Sequence, residues 1–160
     1  MAQLIPLLIE EQQANDAGFT HFVSLGPNDL TETTADTAQD ISLGTVPAGW
    51  IINKSMVVLV TPFKDASDAA FNTTAMVVGD AGSANRYVTS TQLNENGTEI
   101  TLPKYNATSY QVTADTEILA NIAAMAAKSL SDIDTGEVHI FLQLIDTLIL
   151  SDLQSPAVIA

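Results

Sequence analysis

Short runs of β-branched and aromatic residues dominate the sequence from Phe19 onward, and Gly, Pro, Asn and Asp separate these runs. Such punctuation is typical of strands joined by turns, so the pattern predicts an all-β domain over residues 19–150. We expect strands at residues 19–25, 39–46, 50–60, 74–78, 86–91, 98–102, 109–114, 117–125 and 137–149. The chain has 160 residues, 46% of them hydrophobic, which is enough for one domain with its own core.

Three short sequences predict turns between these strands. Residues 46–49 (Val-Pro-Ala-Gly) can make a tight reversal, and residues 79–82 (Gly-Asp-Ala-Gly) supply positive-φ positions. Residues 94–97 (Asn-Glu-Asn-Gly) end in Asn-Gly, a strong hairpin signal. The last of these predicts a hairpin between strands 86–91 and 98–102.

Two segments have helical features. Residues 65–71 follow Pro62 and begin with acidic residues, as the helix dipole favours, so we expect a short helical crossover there. Residues 117–130 are rich in Ala, and the helical spacing of their apolar positions favours an amphipathic helix. The alternative is a strand through Met125 followed by a loop with a helical turn at residues 126–133. Local signals leave both open.

The two ends of the chain differ from its centre. Residues 1–18 read as an N-terminal arm, in which an apolar run precedes a polar stretch without strand periodicity. Apolar side chains on a polar tether need an apolar surface, which a neighbouring molecule can supply. We therefore predict five interaction residues: Leu4, Ile5, Leu7, Leu8 and Ile9. The alternative is a first strand or helix packed on its own domain. Residues 151–160 form a C-terminal tail whose last six residues are uncharged.

The most apolar part of the chain is residues 138–150. This strand carries apolar residues on both of its faces. Such a strand either lies in the centre of a core or has its second face covered by another subunit.

Charge and cysteine content narrow the possible partners. The chain has 19 acidic against 5 basic residues, a net charge of −14, and its basic residues are scattered singly. We therefore expect no direct nucleic-acid partner and no membrane partner, since both require clustered Lys and Arg. With no cysteine, the chain can form neither a disulfide nor a thiolate-based metal or catalytic site.

The catalytic candidates are weak. His21 and His139 are the two histidines, and both alternate with other residues along predicted strands, without a nucleophile motif beside them. A small hydrolase would require these histidines to converge with acids in a cleft. We predict that the chain is not an enzyme.

The candidate ion loops fail on spacing. Residues 132–137 (Asp-Ile-Asp-Thr-Gly-Glu) resemble the start of a calcium loop, but Gly136 is one position early and Gln143 stands where the final acid is needed. A turn before the last strand is the better interpretation. Residues 79–82 lack the Lys of a phosphate loop. We predict no metal and no cofactor.

Several stretches that span most of residues 28–145 carry a family resemblance. They are Asp-Leu-Thr-Glu-Thr at 29–33, Ala-Gln-Asp-Ile-Ser-Leu at 38–43, Val-Pro-Ala-Gly at 46–49, Pro-Phe-Lys-Asp-Ala-Ser-Asp-Ala-Ala-Phe at 62–71, Val-Gly-Asp at 78–80, Asn-Arg-Tyr at 85–87, Asn-Gly-Thr-Glu at 96–99 and Thr-Gly-Glu-Val-His-Ile at 135–140. With them the chain resembles virion proteins of tailed bacteriophages that act beside the major capsid protein, as head decoration (cement) proteins or head fibres.

The resemblance implies a β-sandwich of jelly-roll type on the capsid exterior. It also implies a homotrimer, the major capsid protein as partner, and a strand rather than a helix at residues 117–125. The leading hypothesis is a decoration protein that stabilises the capsid through its oligomer base and terminal arms. The alternative is a head-fibre or tail module that binds a host receptor or glycan. On a virion, we expect the acids to face water and the few basic residues and apolar termini to lie at contacts.

Overall fold

The computed structural model describes residues 5–6, 18–68, 74–94, 104–107 and 109–147. Its strands are β1 (Ile5–Pro6), β2 (His21–Leu25), β3 (Gln39–Val46), β4 (Ile51–Lys64), β5 (Ala75–Asp80), β6 (Ser83–Gln92), β7 (Lys104–Asn106), β8 (Tyr110–Gln111), β9 (Thr116–Ile122) and β10 (Thr135–Ile145). They form two antiparallel sheets. The first sheet has the order β1-β2-β10-β4-β7, with β8 also beside β4, and the second has the order β3-β9-β5-β6. The predicted all-β sandwich is confirmed.

The strand pairs are nested along the chain. β5 pairs with β6, β4 with β7 and β8, β3 with β9, and β2 with β10. This is one long hairpin rolled up so that successive pairs fall alternately into the second and the first sheet. The result is the jelly-roll arrangement that the family resemblance implied.

The core lies between the sheets and follows the strand alternation. On β10, Val138, Ile140 and Leu142 point inward and have no exposed surface. β10 lies between β2 and β4, in the interior of the first sheet, and its inward side forms part of the core.

The Ala-rich segment is a strand, and the helix that its composition favours is wrong. β9 lies between β3 and β5 in the second sheet, and Ile118, Ala120 and Ile122 alternate into the core with at most 1% exposure. A short bridge follows between Met125 and Lys128, then a 3-10 turn at Leu130–Asp132. Two neighbouring strands and a full apolar face outweigh the helix propensity of Ala. The alternative prediction of a strand is therefore right, although the strand ends at Ile122 rather than at Met125.

The turn predictions have a mixed outcome. At residues 46–49 the reversal is confirmed: Gly49 has a φ of 89°, and the Trp50 amide donates to the Pro47 carbonyl at 3.3 Å. At residues 79–82 the predicted positive φ is wrong, because neither Gly79 nor Gly82 adopts it. Gly79 has a different role, since a Cβ there would overlap the backbone of the facing β6 strand.

Strand β4, predicted at residues 50–60, is longer than predicted. β4 continues past residue 60 through Pro62 to Lys64. A proline is tolerated there because the pairing with β10 shifts register between Thr61 and Lys64.

In the described residues, the predicted helical crossover is a single turn. The Asp68 amide donates to the Asp65 carbonyl at 3.3 Å, and the Asp65 carboxylate accepts from the Ser67 amide at 2.8 Å. Residues 69–71 lie outside the described residues, as does the predicted strand 98–102. In the described part of the chain, no helix is long and apolar enough to cross a bilayer.

The arm is described only at Ile5–Pro6. There the chain pairs with Phe22 and His21 at the edge of the first sheet. The predicted interaction residues Leu4, Leu7, Leu8 and Ile9 lie outside the described residues, as does the tail 151–160.

Candidate interaction surface

The outward side of the first sheet is apolar. Register places one set of side chains together on this side of β2, β10, β4 and β7, opposite the core residues of the same strands. Its apolar members are Phe22, Met56, Val58, Val60, Tyr105 and Phe141. Its central polar members are Ser24, Lys54, Glu137, His139 and Gln143. We call this surface the apolar face.

The half of this face over β2 and β10 is closed by aromatic packing. The Phe141 ring lies 5.9 Å from both the Phe19 and the Phe22 rings, measured between centroids. The Lys54 ammonium lies above the Phe19 ring, 4.8 Å from its centroid. As a result Phe19 is 2% exposed and Phe141 is 9% exposed.

The half over β4 and β7 is open. Val60 is 49% exposed and Tyr105 is 56% exposed. They are the most exposed large hydrophobic residues in the described part of the chain. Tyr105 is paired with Met56, and Val58 lies between Met56 and Val60 on the same side of β4. This half is a continuous apolar strip at the surface.

The polar residues of the face do not form a catalytic triad. Glu137 accepts a hydrogen bond from Ser24 at 3.3 Å and contacts Nε2 of His139 at 2.8 Å. The hydrogen bond with His139, supported by that from Ser24, lowers the pKa of Glu137. The acid thus lies between the hydroxyl and the imidazole, so the histidine has no nucleophile to activate.

The second histidine lies on the other side of the same sheet. His21 pairs with Leu142, on the core side of β2, whereas His139 pairs with Ser24 on the outward side. Nδ1 of His21 lies 2.9 Å from the Thr20 hydroxyl, and burial lowers the pKa of His21. The two histidines point away from each other, and the convergence that a hydrolase would require is not formed.

The outward side of the second sheet has the opposite character. Asp40, Ser42 and Glu117 are exposed there, and Asn121 lies beside them. Ser42 donates to Glu117 at 2.6 Å, and Asn121 donates to Asp40 at 2.8 Å. We call this surface the polar face. Asp40 and Glu117 give it a net negative charge, whereas Lys54 and Glu137 balance each other on the apolar face.

Asp80 is the one acid classed as buried among the described residues. Its carboxylate accepts from the amides of Gly82 at 2.9 Å and Ser83 at 3.0 Å, which closes the β5–β6 turn. It also accepts from Nε of Arg86 at 2.8 Å and from the Tyr87 hydroxyl at 2.5 Å. Burial alone would raise the pKa of Asp80, but the hydrogen bonds from Tyr87 and Arg86 outweigh burial and lower it.

The acids before the last strand also have structural contacts. The Asp132 carboxylate accepts from the Ser129 amide at 3.1 Å, and the Asp134 carboxylate accepts from the Ala66 amide at 3.1 Å. The predicted turn at this position is confirmed. Within residues 5–6, 18–68, 74–94, 104–107 and 109–147, no group of three or more His, Asp or Glu side chains is placed to hold a metal.

The apolar face was only partly visible in the sequence. The two-sided apolar pattern of residues 138–150 indicated one strand with a second face to cover. Its neighbours on the face, Val60 and Tyr105, lie on strands that come together only through the register of β10 with β4 and of β4 with β7. The sequence contains no local signal for that register.

The fold is similar to that of chains in two solved bacteriophage capsids. A chain of the cyanophage Pam1 capsid asymmetric unit aligns at 24% sequence identity and a TM-score of 0.53, over 76% of this chain and 79% of that one. A chain of the acid-stable capsid of Helicobacter pylori bacteriophage KHP30 aligns at 13% identity and a TM-score of 0.50, over 90% of this chain and 91% of that one. No protein-family model and no curated protein matches the sequence. The chain therefore has a fold found in chains of two bacteriophage capsids.

Proposed function

We propose that this chain is a structural virion protein that decorates the exterior of a bacteriophage capsid as a homotrimer bound to the major capsid protein. The observation that carries this proposal is the fold. It is similar to the folds of chains from two phage capsids, and the similarity covers most of this chain. The resemblance of residues 28–145 to decoration and head-fibre proteins supports the same assignment.

The physical basis of such a role is binding rather than chemistry. A protein that binds the assembled shell, and not its unassembled subunits, stabilises the shell by mass action. Several weak contacts made by one oligomer add through effective concentration, so each contact can be modest. We include the arm residues Leu4, Ile5, Leu7, Leu8 and Ile9 among these contacts, because they provide apolar surface on a polar tether.

The experiment is to mix the purified chain with capsids that lack it, and then to measure occupancy by co-sedimentation and capsid survival on heating. We expect saturable binding and a higher temperature of capsid disruption. Bovine serum albumin, another acidic protein, serves as the control for non-specific retention. Absence of binding to mature capsids would overturn the proposal.

Copy number separates decoration from the head-fibre or tail alternative. A decoration protein should be present in purified virions in a number that scales with the shell protein, measured by quantitative mass spectrometry. A handful of copies per particle would instead favour a fibre or tail module.

A further inference from the structure

We propose that the open half of the apolar face, formed by Met56, Val58, Val60 and Tyr105, is the contact between copies of this chain. This inference rests on the proposed function and deepens it, because it names the surface through which copies assemble. The test uses purified protein and needs no capsid. The contact would bury Val60 and Tyr105, which are 49% and 56% exposed in the single chain.

The distribution of charge identifies a second copy as the occupant. Every copy carries a net charge of −14, so two copies repel wherever acidic surfaces face each other. The polar face exposes Asp40 and Glu117, whereas the one acid on the apolar face, Glu137, is paired with His139. The four residues of the open half carry no charge, so like-charged copies can meet on that half without facing carboxylates.

A partner with basic surface fits this face less well. Its charge would be attracted to the polar face, where Asp40, Glu117 and the loop acid Asp115 are exposed. Among its defining residues, the apolar face would offer such a partner one lysine, Lys54, and one acid paired with a histidine, Glu137. An uncharged contact surface favours self-association, because two acidic copies do not repel each other there. The same surface gives a basic partner no electrostatic attraction.

The residues of the open half also suit a subunit contact. Buried contact centres are enriched in aromatic residues and Met and depleted of charge, and Tyr is a frequent energetic anchor. Tyr105 lies opposite Met56, and Val58 and Val60 continue the strip along β4. β4 and β10 share the longest pairing of the fold, so the strip lies on a well-supported sheet.

The test is sedimentation velocity of the purified full chain and of three variants that each add one negative charge. Tyr105→Asp and Val60→Asp place the charge on the open half of the apolar face. Ser42→Asp is the matched control, because Ser42 is exposed on the polar face. Circular dichroism and thermal melting of each variant establish that it is folded.

We expect the unmodified chain to form an oligomer and both apolar-face variants to raise its dissociation constant by about tenfold or more, the scale of an interface anchor residue. Ser42→Asp should change it by less than about twofold, since surface changes away from a contact have small effects. A monomeric unmodified chain, or an equal loss in all three variants, would overturn the inference.

Salt gives an independent readout. If copies meet on the apolar face while the rest of each copy repels, then raising NaCl screens the repulsion and strengthens association. Weaker association at high salt would indicate ion pairs at the contact and contradict the inference. Capsid binding is measured separately. A monomer that binds capsids overturns this inference and the homotrimer of the proposed function, but leaves the decoration role. An oligomer that does not bind capsids overturns only the decoration role.

Discussion

Replacing Asp80 by Asn should destabilise the domain far more than the same change at an exposed acid. Asn keeps the size of the side chain and can still accept from the amides of Gly82 and Ser83. It loses the negative charge that receives Nε of Arg86 at 2.8 Å and the Tyr87 hydroxyl.

The magnitude follows from these two contacts. A hydrogen bond to a charged group contributes about 1.5–3 kcal/mol, and breaking a fully buried ion pair costs about 3–5 kcal/mol. The Asp80 side chain is 5% exposed, but that of Arg86 is 24% exposed, so water recovers part of the loss on the arginine side. We expect Asp80→Asn to lower the free energy of unfolding by about 2–4 kcal/mol.

Urea unfolding at one fixed protein concentration measures this change, because the apparent stability of an oligomer depends on concentration. Asp40→Asn is the matched control: it makes the same chemical change at an exposed residue, and we expect a loss within about 0.5 kcal/mol. If Asp80→Asn loses no more stability than Asp40→Asn, then the hydrogen bonds of Asp80 do not hold the β5–β6 hairpin as we argue.

Further predictions concern the pH dependence of stability, two substitutions and one deletion. Because the folded pKa of Asp80 lies below the unfolded value of about 3.9, its contribution is present above that pH and is lost as pH falls through the folded pKa, so Asp80→Asn should flatten acid unfolding curves. Gly136→Ala places a Cβ against the Phe63 ring at a φ of 144° and should cost about 2–4 kcal/mol in urea unfolding; a loss below that of the exposed control would contradict it. Asp36→Ala removes the carboxylate that accepts from the amide of Ala127 at 2.7 Å, and should lower the melting temperature by about 2–4 °C, the effect of about 1 kcal/mol in a chain of this size. Deletion of residues 1–17 should leave a folded domain that binds capsids poorly, and full occupancy by the truncated chain would show that the arm is not a contact.

The sequence predicts the parts of this fold that local chemistry determines. β-branched runs and turn residues were sufficient to place most strands within a few residues, and the reversal at residues 46–49 has the glycine conformation that its sequence requires. The family resemblance supplied the jelly-roll, which composition alone does not distinguish from other all-β arrangements.

The errors arise where distant contacts decide the local structure. Ala-rich β9 is a strand because β3 and β5 pair with it on both sides, and neither neighbour is visible in its own sequence. The turn at residues 79–82 depends on the Asp80 carboxylate rather than on glycine with positive φ. The apolar face depends on register, since a shift of one residue would send its side chains into the core.

A cryo-electron density map of the intact virion tests the central claim most directly, because it gives location, copy number and orientation together. We predict jelly-roll density outside the shell in many copies, with the apolar faces of neighbouring copies in contact and the polar faces, with Asp40 and Glu117, toward solvent. Density confined to the tail, or copies that contact each other through their polar faces, would contradict this assignment.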